Sequence, residues 1–204
     1  MKKIAVFASG GGTDFQSILD ANEKEQFCEI KYLVASKPEI GAIQRAEKFG
    51  VEPIVFDKSK ETKESFYARL AETLKTAGVE FIVLAGWLLV VPQSFIKEFE
   101  NCIINIHPSL IPSFCGMGYY GLKVHQAAID YGVKVSGATV HFVEADVDGG
   151  AIIMQRAVEV FPNDTAETLQ ARILKEEHKM LPECVKALCL GKIRKCGRQV
   201  RVES

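Results

Sequence analysis

The feature that most constrains this chain is a series of apolar runs without polar alternation, separated by stretches of helical spacing. "KIAVFAS" (3–9), "IKYLVAS" (30–36), "EPIVF" (52–56), "FIVLAG" (81–86) and "CIINI" (102–106) are runs of this kind. A strand that is apolar on both faces must be covered on both, which is the situation in a parallel sheet wrapped by helices. The intervening "DFQSILDANEKE" (14–25), "AIQRAEKFG" (42–50) and "KESFYARLAETLKTAG" (63–78) supply the helices. In the last of these Phe66, Leu70 and Leu74 share one helix face, and Gly78 ends the pattern.

The pattern changes after residue 120. "GLKVHQAAIDYG" predicts a helix closed by Gly132. "GATVHFVEADVDGGAIIMQRAVEVF" predicts two strands around an Asp- and Gly-rich turn, hence an antiparallel pair. "TAETLQARILKEEHKMLPECVKALCLG" (165–191) predicts a closing helix, kinked or interrupted at Pro182, because proline removes a helical N–H and its ring crowds the preceding turn. The expected architecture is a Rossmann-like α/β fold: a mostly parallel sheet wrapped by helices, with antiparallel strands in the C-terminal third.

With 204 residues, 48% of them hydrophobic, the chain can bury a substantial core as one unit. A net charge of −1 with interspersed signs argues against a nucleic-acid partner. The one basic cluster, "KIRKCGRQVR" (192–201), reads as a solvated end. The N-terminal "MKKIAVFASGGG" resembles a secretion signal, but its apolar run is shorter than the ~7–15 residues such a signal needs. No apolar stretch approaches the ~20 residues of a membrane span. The expectation is therefore a cytoplasmic protein with neither membrane nor nucleic-acid partners, monomeric or homodimeric. Cys28, Cys102, Cys115, Cys184, Cys189 and Cys196 include no C-x-x-C and no zinc-type spacing with histidine, so free thiols and no metal are expected.

Two stretches carry candidate chemistry. "SGGGTD" (9–14) joins the first strand to the first helix. Its glycines let backbone N–H groups approach an anion at a helix N-terminus, although a merely tight βα turn would look the same. Phe15 stands where a dinucleotide fingerprint would have its third glycine, and no Gly-Lys-Ser/Thr follows, so a small phosphorylated metabolite is favoured over a dinucleotide or nucleoside triphosphate.

The second stretch is "NIHPS" (105–109) together with "DVDGG" (146–150). Asn105 and His107 are two apart on a strand and so share a face, at the carboxyl end where open α/β sheets bind ligands. An amide and an imidazole converging there suit an oxyanion site. Asp148 is expected to hold His107 protonated, since a carboxylate raises an imidazole pKa. A structural hydrogen bond is the competing reading for a histidine at a strand end. Of the other histidines, His125 is expected on a helix surface or at a cap, and His141 packed between sheet layers, while His178 fits either setting.

"VFASGGGTDFQSILDA", "VLAGWLLVVPQSF", "NIHPSLIPSFCG" and "GVKVSGATVHFVEADVDGGAIIMQRAV" together resemble the phosphoribosylglycinamide formyltransferases, folate-dependent enzymes of purine synthesis. The combination "NIHPSLIP" with a downstream "DVDGG" is shared with formyltetrahydrofolate deformylases and the larger tRNA formyltransferases, while "SGGGT" favours the glycinamide ribotide enzymes. The resemblance implies a formyltransferase fold over residues 1–204, with about 1–100 as the phosphate-binding half and about 101–190 as the catalytic and folate-binding half. It implies formyl transfer from 10-formyltetrahydrofolate, a co-substrate, to the amine of glycinamide ribotide. Asn105, His107 and Asp148 would be catalytic. Gly12, Thr13 and Asp14 would hold the ribotide phosphate, with Glu177 near the glycinamide. The folate would meet Leu88, Leu89, Val90 and Val91, with Val143, Glu144, Ala145, Asp146, Val147 and Asp148 against the pterin, Asn105 at the formyl group, and Lys63 supplying a basic contact. Two residues depart from the family pattern: Asp14 stands where asparagine is more common, and Leu89 where some relatives carry a basic residue. A deformylase, which uses water in place of the amine, and a non-catalytic phosphometabolite-binding protein are the rival functions; the latter leaves Asn105, His107 and Asp148 without a purpose.

Overall fold

In the computed structural model, residues 1–203 are described. Strands β1 (Lys2–Ala8), β2 (Cys28–Ala35), β3 (Glu52–Val55), β4 (Phe81–Leu84), β5 (Ile103–His107), β6 (Val135–Phe142) and β7 (Ile152–Glu159) form one sheet in the order β3-β2-β1-β4-β5-β6-β7. The pairings from β3 to β5 are parallel, and β6 and β7 are antiparallel, as the change of pattern after residue 120 predicts.

Alternation along β1 divides the interior into two layers. Ile4, Val6 and Ala8 face a core shared with helices α1 (Thr13–Glu25), α2 (Gly41–Lys48) and α6 (Ala166–Cys189). Ala5 and Phe7 face a second core built on α3 (Lys63–Thr76) and α4 (Gln93–Glu98). Phe66, Leu70 and Leu74, the stripe legible in the sequence, are all fully buried there. Helix α3 starts where the Thr62 side chain accepts from the Ser65 N–H, and α6 starts at a reciprocal Thr165–Thr168 box.

One expectation is corrected in part, and another gains detail. Helix α6 runs Ala166–Cys189 without interruption at Pro182. Leu181, Pro182, Cys184 and Val185 are all buried, and this packing holds both halves of the helix despite the missing N–H. The basic C-terminal segment is largely exposed, as a solvated end would be, but it has a defined structure. It forms a hairpin, β8 (Ile193–Cys196) with β9 (Gln199–Val202), antiparallel across the two-residue turn Gly197-Arg198. Gly197, at φ +57°, occupies the first turn position, which glycine fills in tight hairpins. Ile193 and Val200 anchor the hairpin against the first core. Helix α5 (Leu122–Tyr131) links the long loop after β5 to β6.

The strand order reverses between β1 and β4, placing a crevice at their carboxyl ends, the position where open α/β sheets take ligands. There the Ser9 N–H donates to the Gly86 carbonyl (3.1 Å), and the Leu88 N–H donates to Ser9 Oγ (2.9 Å). These bonds tie the loop after β1 to the loop after β4.

Candidate active site

A cleft of about 610 Å³ runs along the carboxyl ends of β1, β4 and β5. The glycine-rich loop Gly10–Gly12 with Thr13 and Asp14 lines one part of it, and Asn105, His107, His141 and Asp148 line another. Loop 84–91 and residues 143–147 make the walls, and Met117 to Gly121 border the mouth. Of the residues singled out in the sequence, Gly12, Thr13, Asp14, Leu88, Leu89, Val90, Val91, Asn105, His107, Val143 to Asp148 and Glu177 all line this cleft. Lys63 does not; it opens α3 and is outside the lining.

In the glycine-rich part, Gly12 takes φ +71° and is the N-cap of α1. A Cβ there would lie 2.7 Å from Ala42 Cβ, so both the conformation and the close approach of α2 require glycine. Asp14 is inside the first turn rather than at the N-cap, and its side chain makes no cap hydrogen bond. Its Oδ1 is buried without a hydrogen-bond partner among the described residues. Burial raises the Asp14 carboxyl from 3.8 to about 6. Beside it the Glu177 carboxyl is raised well above the ordinary value by burial and by Asp14. His178 Nε2 lies 3.7 Å from Asp14 Oδ1, but burial and Arg45 hold that imidazole below 6.5, so the contact joins two groups that both resist ionisation.

In the other part, the hydrogen-bond chains fix the tautomers. Ser109 Oγ donates its proton to the Ser113 carbonyl (2.7 Å), so toward His107 Nδ1, 3.1 Å away, it can only accept. His107 therefore carries its proton on Nδ1. Its Nε2 has a free lone pair, lacks a hydrogen-bond partner among the described residues, and faces Asp148 Oδ2 at 3.5 Å. Burial pushes the imidazole below 6.5, outweighing Asp148 and the Tyr119 backbone, which push it up. Asp148 thus favours the charged imidazole, as expected, but desolvation works against it and is the larger influence at this distance.

His141 is buried, as expected for a residue between layers, but it does more than fill space. Its Nδ1–H donates to the Phe142 carbonyl (2.8 Å), so its Nε2 accepts from Asn105 Nδ2 (3.0 Å). One N–H of Asn105 is thereby anchored, and the other remains for the cleft. His141 is across the strand pair from Asn105 in the β5–β6 register, so the antiparallel pairing is what brings them together. His125 also corrects an expectation. It is buried, lines the cleft, and is pushed down to about 4 by burial and by His107. Neither histidine had a legible sequence signal, because both roles depend on pairing between distant segments.

Asp148 sits at the turn with φ +54°, uncommon for a non-glycine residue, and its Oδ2 accepts from the Gly116 N–H (2.8 Å). This bond ties the long loop after β5 to the acidic turn.

The formyl transferase family matches residues 2–185. The chain belongs to the formyl transferase family. It is 41% identical to the phosphoribosylglycinamide formyltransferase of Bacillus subtilis (strain 168) over 190 residues, 92% of this chain and 95% of that protein. It is 47% identical over 194 residues to the chloroplastic phosphoribosylglycinamide formyltransferase of Vigna unguiculata, covering 94% of this chain but spanning 62% of that protein's length. Among solved structures, glycinamide ribonucleotide transformylase 1 from Symbiobacterium toebii superposes with a TM-score of 0.93 at 38% identity, covering 100% of this chain and 95% of that one. The formyl transferase fold thus accounts for the parallel sheet and the antiparallel pair that follows it.

Proposed function

We propose that this protein transfers the formyl group of 10-formyltetrahydrofolate to the amine of 5-phosphoribosylglycinamide, in de novo purine synthesis. The observation that carries the proposal is one continuous cleft joining a glycine-rich helix N-terminus to an Asn–His–Asp cluster. The phosphate of the ribotide meets the backbone donors of Gly12, Thr13 and Asp14, in the half formed by residues 1–100, and Glu177 lies beside the glycinamide. The folate enters against Leu88, Leu89, Val90 and Val91, with residues 143–148 along the pterin and Lys63 toward its outer end. Its formyl group reaches Asn105, His107 and Asp148 in the half formed by residues 101–190.

The amine lone pair attacks the formyl carbon, and the carbonyl oxygen becomes an oxyanion. The free N–H of Asn105 donates to it, an interaction strongest once the charge has formed. The lone pair on His107 Nε2 accepts the proton leaving the attacking nitrogen. The resulting imidazolium faces Asp148, 3.5 Å away, which stabilises it only in that charged state. Nε2–H can then donate to the oxyanion and finally deliver its proton to the folate nitrogen as the carbon–nitrogen bond to folate breaks. The formyl group ends on the amine, and the proton count balances.

The test is turnover of 10-formyltetrahydrofolate with and without glycinamide ribotide. Formylated ribotide, formed only when both substrates are present, is the expected result. Release of formate at the same rate without ribotide would instead make the protein a deformylase.

A further inference from the structure

The C-terminal hairpin lies beyond residues 2–185, where the formyl transferase family matches, and the chemistry above makes no use of it. Yet its polar side chains converge on one place. Lys195 Nζ donates to Asn101 Oδ1 (2.6 Å) and pairs with Glu144 Oε1 (2.8 Å). Its ammonium also lies 5.4 Å from the centre of the Phe142 ring. Arg198 Nη1, from the hairpin turn, donates to the Gly149 carbonyl (2.9 Å). Lys195 is the largest influence holding the Glu144 carboxyl below its ordinary value, and Arg198 adds to it.

These attachment points are not scattered. Asn101 precedes β5, the strand carrying Asn105 and His107. Glu144 and Gly149 bracket the turn that carries Asp148. Asp148 is held from the cleft side through its own carboxylate, by the Gly116 N–H. Its backbone is held from the outside by the hairpin. Exposed ion pairs add little stability, but these contacts join the turn and the residue range before β5 to one and the same hairpin.

We propose that the β8–β9 hairpin is a strap that fixes Asp148 relative to His107, with Lys195 and Arg198 as positioning residues for formyl transfer. The proposal rests on the assignment of His107 and Asp148 to catalysis. Arg198 gives the cleaner test, because it is outside the cleft lining and its contact is a backbone carbonyl.

Arg198→Ala and Lys195→Met should each lower kcat/KM for 10-formyltetrahydrofolate by about tenfold, less than the ~10²-fold that a displacement of 1 Å can cause. The KM for glycinamide ribotide should stay within about twofold, because the hairpin bonds to Asn101, Glu144 and Gly149 and not to the glycine-rich loop assigned to the phosphate. Arg198→Lys, which keeps a cationic donor for the carbonyl, should restore most of the loss. A histidine NMR titration should show the His107 pKa lower in Arg198→Ala, as Asp148 moves away. Asp148→Asn is measured alongside. If Asp148→Asn retains full turnover, the assignment of the site itself fails. If Asp148→Asn is impaired while both hairpin variants keep wild-type kinetics, the strap is wrong. It is equally wrong if they lose only thermal stability, or raise the KM of both substrates alike.

Discussion

Replacing Asp14 by asparagine should make the protein more stable at neutral pH, by an amount that shrinks as the solution is acidified. Only 13% of the Asp14 side chain is exposed, Oδ1 has no hydrogen-bond partner among the described residues, and burial raises its carboxyl from 3.8 to about 6. A carboxyl whose pKa is raised on folding binds more protons folded than unfolded between those two values. Stability therefore falls as pH rises through that window. Each unit of displacement corresponds to about 1.4 kcal/mol. Ionised Asp14 thus costs the folded state about 3 kcal/mol above pH 6, about 1 kcal/mol near pH 4.5 and almost nothing below 3.8. Asparagine keeps the shape and removes the charge. Its stabilisation should be about 2 kcal/mol larger at pH 7.5 than at pH 4.5. Relief of the neighbouring Glu177, which Asp14 pushes upward, adds to this in the same direction. Urea unfolding at the two pH values, with unchanged m, measures the difference. A variant destabilised at neutral pH would refute the reasoning: it would mean that His178, 3.7 Å away, is protonated and paired with Asp14. The same substitution removes a negative charge beside the proposed phosphate site, so the KM for glycinamide ribotide should hold or fall, and a tenfold rise would displace the phosphate from that loop.

Asn105→Ala should lower kcat by roughly 10²–10³-fold, the scale for one lost oxyanion donor, with little change in ribotide affinity; near-normal kcat would remove Asn105 from the mechanism. His141→Ala should lower kcat by less, through loss of the acceptor that orients Asn105, and His141→Ala combined with Asn105→Ala should be no slower than Asn105→Ala alone; additive losses would show that His141 acts independently. With His107 as base, kcat/KM should fall on the acid side with a midpoint below 6.5, and Asp148→Asn should move that midpoint lower still, because Asp148 raises the His107 pKa; an unmoved midpoint would break the proposed coupling. Gly12→Ala should destabilise the fold, since its Cβ would lie 2.7 Å from Ala42 Cβ at a backbone with φ +71°, and a thermal midpoint equal to wild type would contradict the packing seen there.

The apolar runs at 3–9, 30–36, 81–86 and 102–106 determined a two-faced parallel sheet by themselves, because burial on both sides leaves no polar alternation to write. "NIHPS" and "DVDGG" likewise announced where chemistry could sit, since residues 105 and 107 must share one face of a strand. What no linear pattern could carry was the protonation state and the support of that site. The His107 imidazole is pushed below its ordinary value because burial outweighs Asp148, and burial is a property of the assembled cleft. His141 orients Asn105 only through the β5–β6 register. Asp14 and Glu177 are 163 residues apart in the chain but share one desolvated corner. The C-terminal basic cluster is solvated, as its sequence suggests, but the partners of Lys195 and Arg198, namely Asn101, Glu144 and Gly149, are brought to it only by the folded sheet. Periodicity records which face of an element is buried; long-range pairing and the dielectric it creates are settled only when the elements meet.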